Sequence, residues 1–400
     1  MPRKQVRHQK DIVVVGAGPA GIATAIAAAR QGAAVSLLEK TDRLGGTVTN
    51  CLIHTLGGLY DSSGKYLNEG MSVELAEKLI RADAKTEKRK IGRVWALSVC
   101  PDIFKQVAAD WLKEEKNIRI FYESKDLHCK VGNNCIQTLS FTSGNQKVMT
   151  LPCSVIDTTG NAELINIVDT SLVVDNAGQA MAGLIYQIRN VDPDILAFPR
   201  NVTISQKLRK AAEDLQLPDE FSNAGLDRGV FADEAYVKLS FALRNSSFSR
   251  KDLFRKTSEI KIIGDQLIAF LKQFPAFSQA EITQSGTLGI RDGGRFHGEY
   301  MLSGSDVRSL KKFTDCACRC AWPIEYWDPK KGIELEYLRT GDFYEIPLRS
   351  LKVRNIKNLW AAGKCLSADR IAQASARVVG SCWAMGEAAG NAASGEKNEQ

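Results

Sequence analysis

The stretch DIVVVGAGPAGIATAIAAARQGAAVSLLEK, residues 11–40, narrows the folds open to this chain more than any other. Ile12 to Val15 is a continuous β-branched run, the pattern of a strand buried on both faces of a parallel sheet. Gly16, Gly18 and Gly21 then space out as G-x-G-x-x-G. In that spacing the first glycine turns the chain, the second lets backbone approach a pyrophosphate, and the third lets the helix lie close to the strand. Ala23 to Arg30 continues as an Ala-rich helix, and a second strand, Ala34 to Leu38, runs into Glu39. An acid about 20 residues past the turn accepts from ribose hydroxyls. Strand, turn, helix, strand and acid fall in order, so the sequence predicts a nucleotide-binding α/β fold.

Glu39 in place of a basic residue disfavours a 2′-phosphate, which leaves the adenosine of NAD or of FAD. The 400-residue length suits two interleaved domains. A hydrophobic share of 44% and a charged share of 25% exclude a disordered or fibrous chain. No apolar run approaches the ~20 residues that span a bilayer, and Met1 to Lys10 is basic without an apolar core and cleavage site. The expectation is a cytoplasmic protein with no membrane partner. Ten cysteines lie scattered, as buried thiols would. The group Cys316, Cys318 and Cys320 lacks a second Cys/His pair at ligand spacing, so no metal is expected. Net charge is +7, but the most basic stretch, Lys78 to Arg93, has no interleaved aromatics to stack bases. It reads as a solvated helix face, and nucleic acid is not expected as a partner.

Gly45 and Gly46 follow Glu39 within a few residues, and SVIDTTGNAEL (154–164) is a strand followed by a turn. Near the other end come YEIPLRSL (344–351), NLWAAGKCLSADRIAQASARVVG (358–380) and GEAAG (386–390), preceded by IRDGGRFHGEYMLSGSDV (290–307). In combination these segments resemble the FAD-dependent oxidoreductase family, of glutathione-reductase-like Rossmann flavoproteins. Its members share a dinucleotide fold, a DATGD turn and an IPYRSL…NLLVAGRCIS…R…GQAAG signature. The resemblance covers roughly the first 60 residues, the last 110 and the turn near 157, and leaves the middle unmatched. It implies FAD as the cofactor. It also implies a Rossmann-like FAD-binding domain of the glutathione-reductase type, in the α/β class, interrupted by an α+β substrate or cap domain. The boundaries expected are 1–165 and 340–400 for the FAD domain and 166–339 for the cap.

Carried over by position, the resemblance places Gly16, Gly18 and Gly21 at the pyrophosphate and Glu39 at the ribose. It places Gly45, Gly46 and Thr47 along the approach to the isoalloxazine, Asp157 and Gly160 in the DATGD-like turn, and Gly363, Arg377 and Gly386 in the C-terminal FAD element. Two positions depart from the pattern: Asn161 stands where the DATGD turn has its last acid, and Lys364 where many such proteins carry an Asp on the ribityl chain.

Within TVTNCLIHTLGGLYD (47–61), His54 is a candidate general base, and Cys51 a candidate flavin anchor or nucleophile. Arg291 and Arg295 are four apart and would clamp a carboxylate if helical, although Gly293 and Gly294 argue against a helix. The resemblance brings His297, Tyr300 and Tyr344 to the ring as pocket candidates. In the middle of the chain, residues 199–221 and 249–274 read as amphipathic helices, the second with Leu253, Ile260 and Leu267 inward. Residues 119–151 alternate as a β-meander.

Only one G-x-G-x-x-G opens a strand, turn and helix, so electrons must come from a small-molecule substrate, a transient NAD(P)H or a redox partner protein. The leading expectation is hydride transfer between a small organic substrate and flavin N5. Two alternatives stand beside it: a single-component monooxygenase using transient NAD(P)H and O₂, and a flavin-bearing subunit or tRNA-modifying protein. Oligomeric state is left open.

Overall fold

In the computed structural model, which describes residues 6–9, 11–174, 180–242 and 250–395, both ends of the chain build one parallel sheet. Its strands run in the order Leu359–Ala361, Ser154–Asp157, Ile12–Val15, Val35–Leu38, Ile118–Phe121, all parallel. Ile12 to Val15 sits centrally and is buried along its whole length, as its unbroken β-branched run requires. The first helix, Pro19–Arg30, starts one turn earlier than Ala23 because Pro19, with no N–H to lose, opens it directly after Gly18.

The C-terminal helix, Val379–Gly395, lies along that first helix in the same core. Its small residues serve this contact. A Cβ on Gly386 would overlap the Ala20 carbonyl oxygen, and one on Gly390 would crowd the Thr24 carbonyl. The position read as an FAD contact, Gly386, is thus a helix-packing residue.

Residues 118–151 divide between two sheets. Ile118–Phe121 closes the parallel sheet, and Lys125–Gly132, Cys135–Ser143 and Gln146–Leu151 form an antiparallel meander joined by Val6–Gln9. A second antiparallel sheet has the order Gly225–Arg228, Ala235–Phe241, Ala182–Arg189, Glu281–Ser285. Alternation sorts its faces: Leu184, Tyr186 and Ile188 join a core with helices Arg200–Glu213 and Arg250–Leu271, whereas Ile185 packs with Leu52 and Tyr236. Ile260 and Leu267 face that helix-side core; Leu253 lies outside the described side chains.

The segment 286–290 ties this second sheet to the first unit. Gly286 N–H donates to the Ile185 carbonyl (2.8 Å), Thr287 N–H donates to the Asn50 carbonyl (2.6 Å), and Gly183 and Gly289 exchange N–H···O bonds (2.8 Å each). Cys316–Cys320 pairs with Tyr344–Pro347, and Cys318, Cys320, Ile324 and Tyr326 belong to the core shared by the two long helices. No helix among the described residues is long and apolar enough to cross a membrane.

Candidate flavin cleft

The carboxyl ends of the parallel strands open onto a cleft of about 1000 Å³. In an open parallel sheet this is where backbone amides and helix starts converge on a ligand. Gly18 lines the cleft and caps the first helix with no side-chain hydrogen bond, so the helix-start amides face the cleft without an internal acceptor. Gly21 does not line it: a Cβ there would overlap the Gly16 carbonyl oxygen, so this glycine brings the helix against its own turn.

Glu39 is buried at one end of the cleft. Its Oε2 accepts from Ala17 N–H (2.9 Å), and its Oε1 from Thr41 N–H and Oγ–H (2.9 Å each). These donors fix the carboxylate and keep lone pairs for ribose hydroxyls. The Gly45–Gly46 pair closes the pyrophosphate turn. Gly45 N–H donates to the Ala17 carbonyl (2.9 Å), and Gly46 has φ 51° and ψ −119°, where a Cβ would stand 2.8 Å from Gly18 Cα. Gly46 and the adjoining Thr47 line the cleft; Gly45 does not.

Asp157 lies beneath the cleft. Its Oδ1 accepts from Thr159 N–H (2.9 Å) and Oγ–H (2.7 Å), and its Oδ2 from Leu164 and Ile165 N–H (3.0 Å each). Burial pushes this carboxyl up, against the downward pull of the Thr159 and Ile165 donors. Its reach ends inside its own turn, and Gly160, at the crest of that turn, is the residue that meets the cleft.

At the far end stand Gly363, Lys364, Arg377, Cys51 and Cys382, with Thr287 to Ile290 beneath the second sheet. Burial pushes the Cys51 thiol up, and its Sγ lies 3.5 Å from Thr287 Oγ1. Lys364, visible in the sequence only as a departure from a motif, is a wall of the cleft. Asn161 and Cys382 also went unforeseen as wall residues, because nothing in a single sequence marks which loops meet at one strand end.

Arg291, Arg295 and Tyr344 do not line the cleft. Arg291 is half-buried over the Trp327 ring at 3.8 Å and donates Nη1–H to the Met181 carbonyl (2.6 Å). Arg295 begins a short strand, Arg295–Phe296, so the two arginines share no helical face. Tyr344 is fully buried in its strand and donates its hydroxyl to Ser375 Oγ (2.9 Å).

His54 is buried at the seam between the two units. Its ring stacks on Tyr236 (centroids 3.6 Å, planes 10°), and its Nε2–H donates to Asp227 Oδ2 (3.2 Å). Asp227 also accepts from Arg89 Nη2 (2.8 Å) and Lys238 Nζ (2.9 Å). Burial, aided by the Lys238 charge, holds His54 down to about 4 against the pull of Asp227. The same cations keep Asp227 well below the usual carboxylate range. Free imidazole titrates near ~6.5, so the unfolded chain binds a proton that the fold refuses. The stability from neutral His54 is complete above that value and drains away as pH falls from about 6.5 to about 4. The loss reaches about 3 kcal/mol. His54→Gln removes this acid-sensitive window from thermal midpoints recorded against pH, and an unchanged profile would show that His54 does not titrate there.

Open parallel sheet, glycine turn, capless helix start and buried acid define a dinucleotide-binding protein whose residues fit an FAD. The sequence profile of the FAD dependent oxidoreductase family matches residues 11–399, and the chain belongs to that family. FAD is accordingly its cofactor. None of the curated protein sequences matches the chain. Among solved structures, it is similar to a geranylgeranyl bacteriochlorophyll reductase-like protein of Thermoplasma acidophilum, at 16% identity and a TM-score of 0.49. That match covers 98% of this chain and 79% of the other. A flavin-dependent brominase, Bmp2, is similar at 13% identity over 98% and 80%, with a TM-score of 0.48. PqsL of Pseudomonas aeruginosa is similar at 12% identity over 96% and 85%, with a TM-score of 0.44.

Proposed function

We propose that this FAD-dependent oxidoreductase transfers a hydride between a small organic substrate and flavin N5. The observation that carries the reading is the continuation of the cleft. It runs past the glycine turn to a chamber walled by Asn50, Cys51 and Thr287 to Ile290, under the antiparallel sheet. We read the FAD fold as the glutathione-reductase type, on its glycine pair and C-terminal strand, turn and helix. We read the unit within 166–339 as the cover that selects the substrate. FAD, when bound, supplies the two-electron chemistry. The chain fixes the ribose through Glu39, receives the pyrophosphate at Gly16 to Gly18, and excludes water with the 286–290 loop. The described residues contain one glycine-turn nucleotide fold, which favours the substrate over a resident nicotinamide as the electron source.

Anaerobic mixing of the FAD-loaded protein with NADH, then NADPH, tests this. The flavin band near ~450 nm is expected to persist. Rapid bleaching by either nucleotide contradicts the reading and directs it to a monooxygenase fed by transient NAD(P)H.

Cys51 is read as a wall of the chamber, because a thiol whose pKa is raised is a poor nucleophile. Cys51→Ala is expected to keep stoichiometric FAD, released completely by denaturation, and to change turnover by no more than about threefold. Flavin retained on the denatured wild-type chain but not on the variant would make Cys51 a covalent anchor.

A further inference from the structure

Asn161 and Lys364, the two positions that depart from the family pattern, meet each other, and their contact belongs to a longer row of hydrogen bonds. Lys40 Nζ donates to Glu163 Oε1 (3.1 Å), which also accepts from Asn161 Nδ2 (3.4 Å). Asn161 Oδ1 accepts from Lys364 Nζ (2.9 Å), and the same ammonium donates to the Ile290 carbonyl (2.8 Å). Each residue of this row lines the cleft. Lys40 lies just past the strand Val35–Leu38 and Glu163 past Ser154–Asp157, the two strands that flank Ile12–Val15. Their ion pair therefore spans the carboxyl end of the central strand, over the glycine turn. Ile290 stands at the other end, in the loop that covers the chamber.

Asparagine suits the middle of this row. Its amide offers a donor to Glu163 and an acceptor to Lys364, whereas an acid there accepts only and would repel Glu163. The inner half of the row is packed without slack. A Cβ on Gly293 would overlap the Lys364 ammonium and the Asn161 amide oxygen, and one on Gly294 the Asn161 carbonyl oxygen. Gln373 Nε2 bridges the Lys364 carbonyl (2.8 Å) and the Gly293 carbonyl (3.3 Å). Asn161, Lys364 and the 290–294 segment therefore shift as one body. That body reaches the second sheet, because Gly289 and Gly183 exchange N–H···O bonds and Gly286 N–H donates to the Ile185 carbonyl. The outer half is looser: the Lys40 and Glu163 side chains are 64% and 44% exposed.

We propose that Asn161 is a positioning residue that couples the two ends of the cleft, so that a nucleotide diphosphate seated at the glycine turn holds the 286–290 loop closed over the chamber. The diphosphate draws the Lys40 ammonium and drives the Glu163 carboxylate toward the Asn161 amide, tightening the longest contact of the row. A fixed Asn161 amide fixes Lys364, and Lys364 fixes the Ile290 carbonyl. The inference rests on the reading of that chamber as the substrate side of the cleft. Its consequence is that substrate meets a closed chamber only once the cofactor is in place.

Hydrogen exchange of the 286–290 amides tests the coupling, with ADP as the probe, because ADP fills the ribose and pyrophosphate end without reaching the loop. On the flavin-free full chain, saturating ADP is expected to slow these amides about fivefold. Asn161→Asp keeps an acceptor for Lys364 but has no N–H for Glu163, so it is expected to remove that response. On the FAD-loaded protein, Glu163→Ala is expected to speed the same amides about threefold. Glu163→Gln keeps the acceptor and stays near wild type, and adding Asn161→Asp to Glu163→Ala gives no further gain. ADP that binds by calorimetry yet leaves the wild-type loop amides unchanged would overturn the proposal, as would an ADP response that survives Asn161→Asp. Should the flavin-free chain not stay folded, the FAD-loaded proteins decide, and equal loop exchange in Glu163→Ala and wild type overturns the coupling. A chain that binds neither ADP nor FAD sinks the nucleotide reading and this coupling with it. Bleaching by NADH, in contrast, overturns only the proposed electron source and leaves the exchange result standing.

Discussion

Gly21→Ala abolishes FAD retention. The methyl group would overlap the Gly16 carbonyl oxygen, a backbone atom of the turn that presents Gly16 and Gly18 to the pyrophosphate. Relief requires the helix Pro19–Arg30 to shift away from the central strand. That helix is buried on nearly every residue and packed along the C-terminal helix, so there is no free volume to absorb the shift. The expected result is protein that purifies without a flavin band and needs at least about a hundredfold more FAD for half-saturation, a loss of about 3 kcal/mol or more. Gly32→Ala is the control: its Cβ meets nothing within 4 Å, although its φ of 81° is itself strained in an L residue. That variant is expected to lose some stability and keep FAD. A Gly21→Ala protein holding FAD as tightly as wild type would mean that the turn does not carry the pyrophosphate.

Asp227→Ala is the second large effect, and it acts on stability. Asp227 comes from the second sheet and gathers Arg89 and His54 of the first unit with Lys238 of its own sheet. Removing it leaves the Lys238 ammonium and the His54 imidazole without this acceptor, and Arg89 with only the neutral Ser98 hydroxyl and Arg228 carbonyl, a loss of about 3–5 kcal/mol. Thermal unfolding should show a lower midpoint, with the second sheet separating first and the His54 region becoming open to hydrogen exchange. Asp227→Asn keeps an acceptor and loses the charge, so it is expected to fall between the two. A midpoint unchanged by Asp227→Ala would show that the seam is held by apolar contacts such as Leu52, Ile185 and Tyr236 alone.

How much of this was legible in the sequence depends on how local each determinant is. The strand, glycine turn, helix and Glu39 lie within 30 residues and their spacing is set by one βαβ unit, so the nucleotide end of the cleft could be read directly. Residues assigned through the C-terminal signature divided: Gly363 and Arg377 reach the cleft, whereas Gly386 pairs two helices and Tyr344 fills a core. A signature records which residues a fold needs and leaves unsaid whether the need is contact with the cofactor or close packing behind it. His54 follows the glycine pair closely but is turned to the seam by Asp227, some 173 positions away, a partner no local pattern announces. Lys364 shows the opposite case. Its departure from the usual acid was plain in the sequence, and its significance depended on the Asn161 and Gly293 loops that close around it.

The most direct measurement is the absorbance spectrum and FAD stoichiometry of the purified protein, before and after incubation with FAD and desalting. One FAD per chain, with a band near ~450 nm that Gly21→Ala lacks, is the expected result. A protein that remains colourless after FAD is added, or holds flavin equally well without its glycine turn, would contradict the assignment of this cleft to FAD.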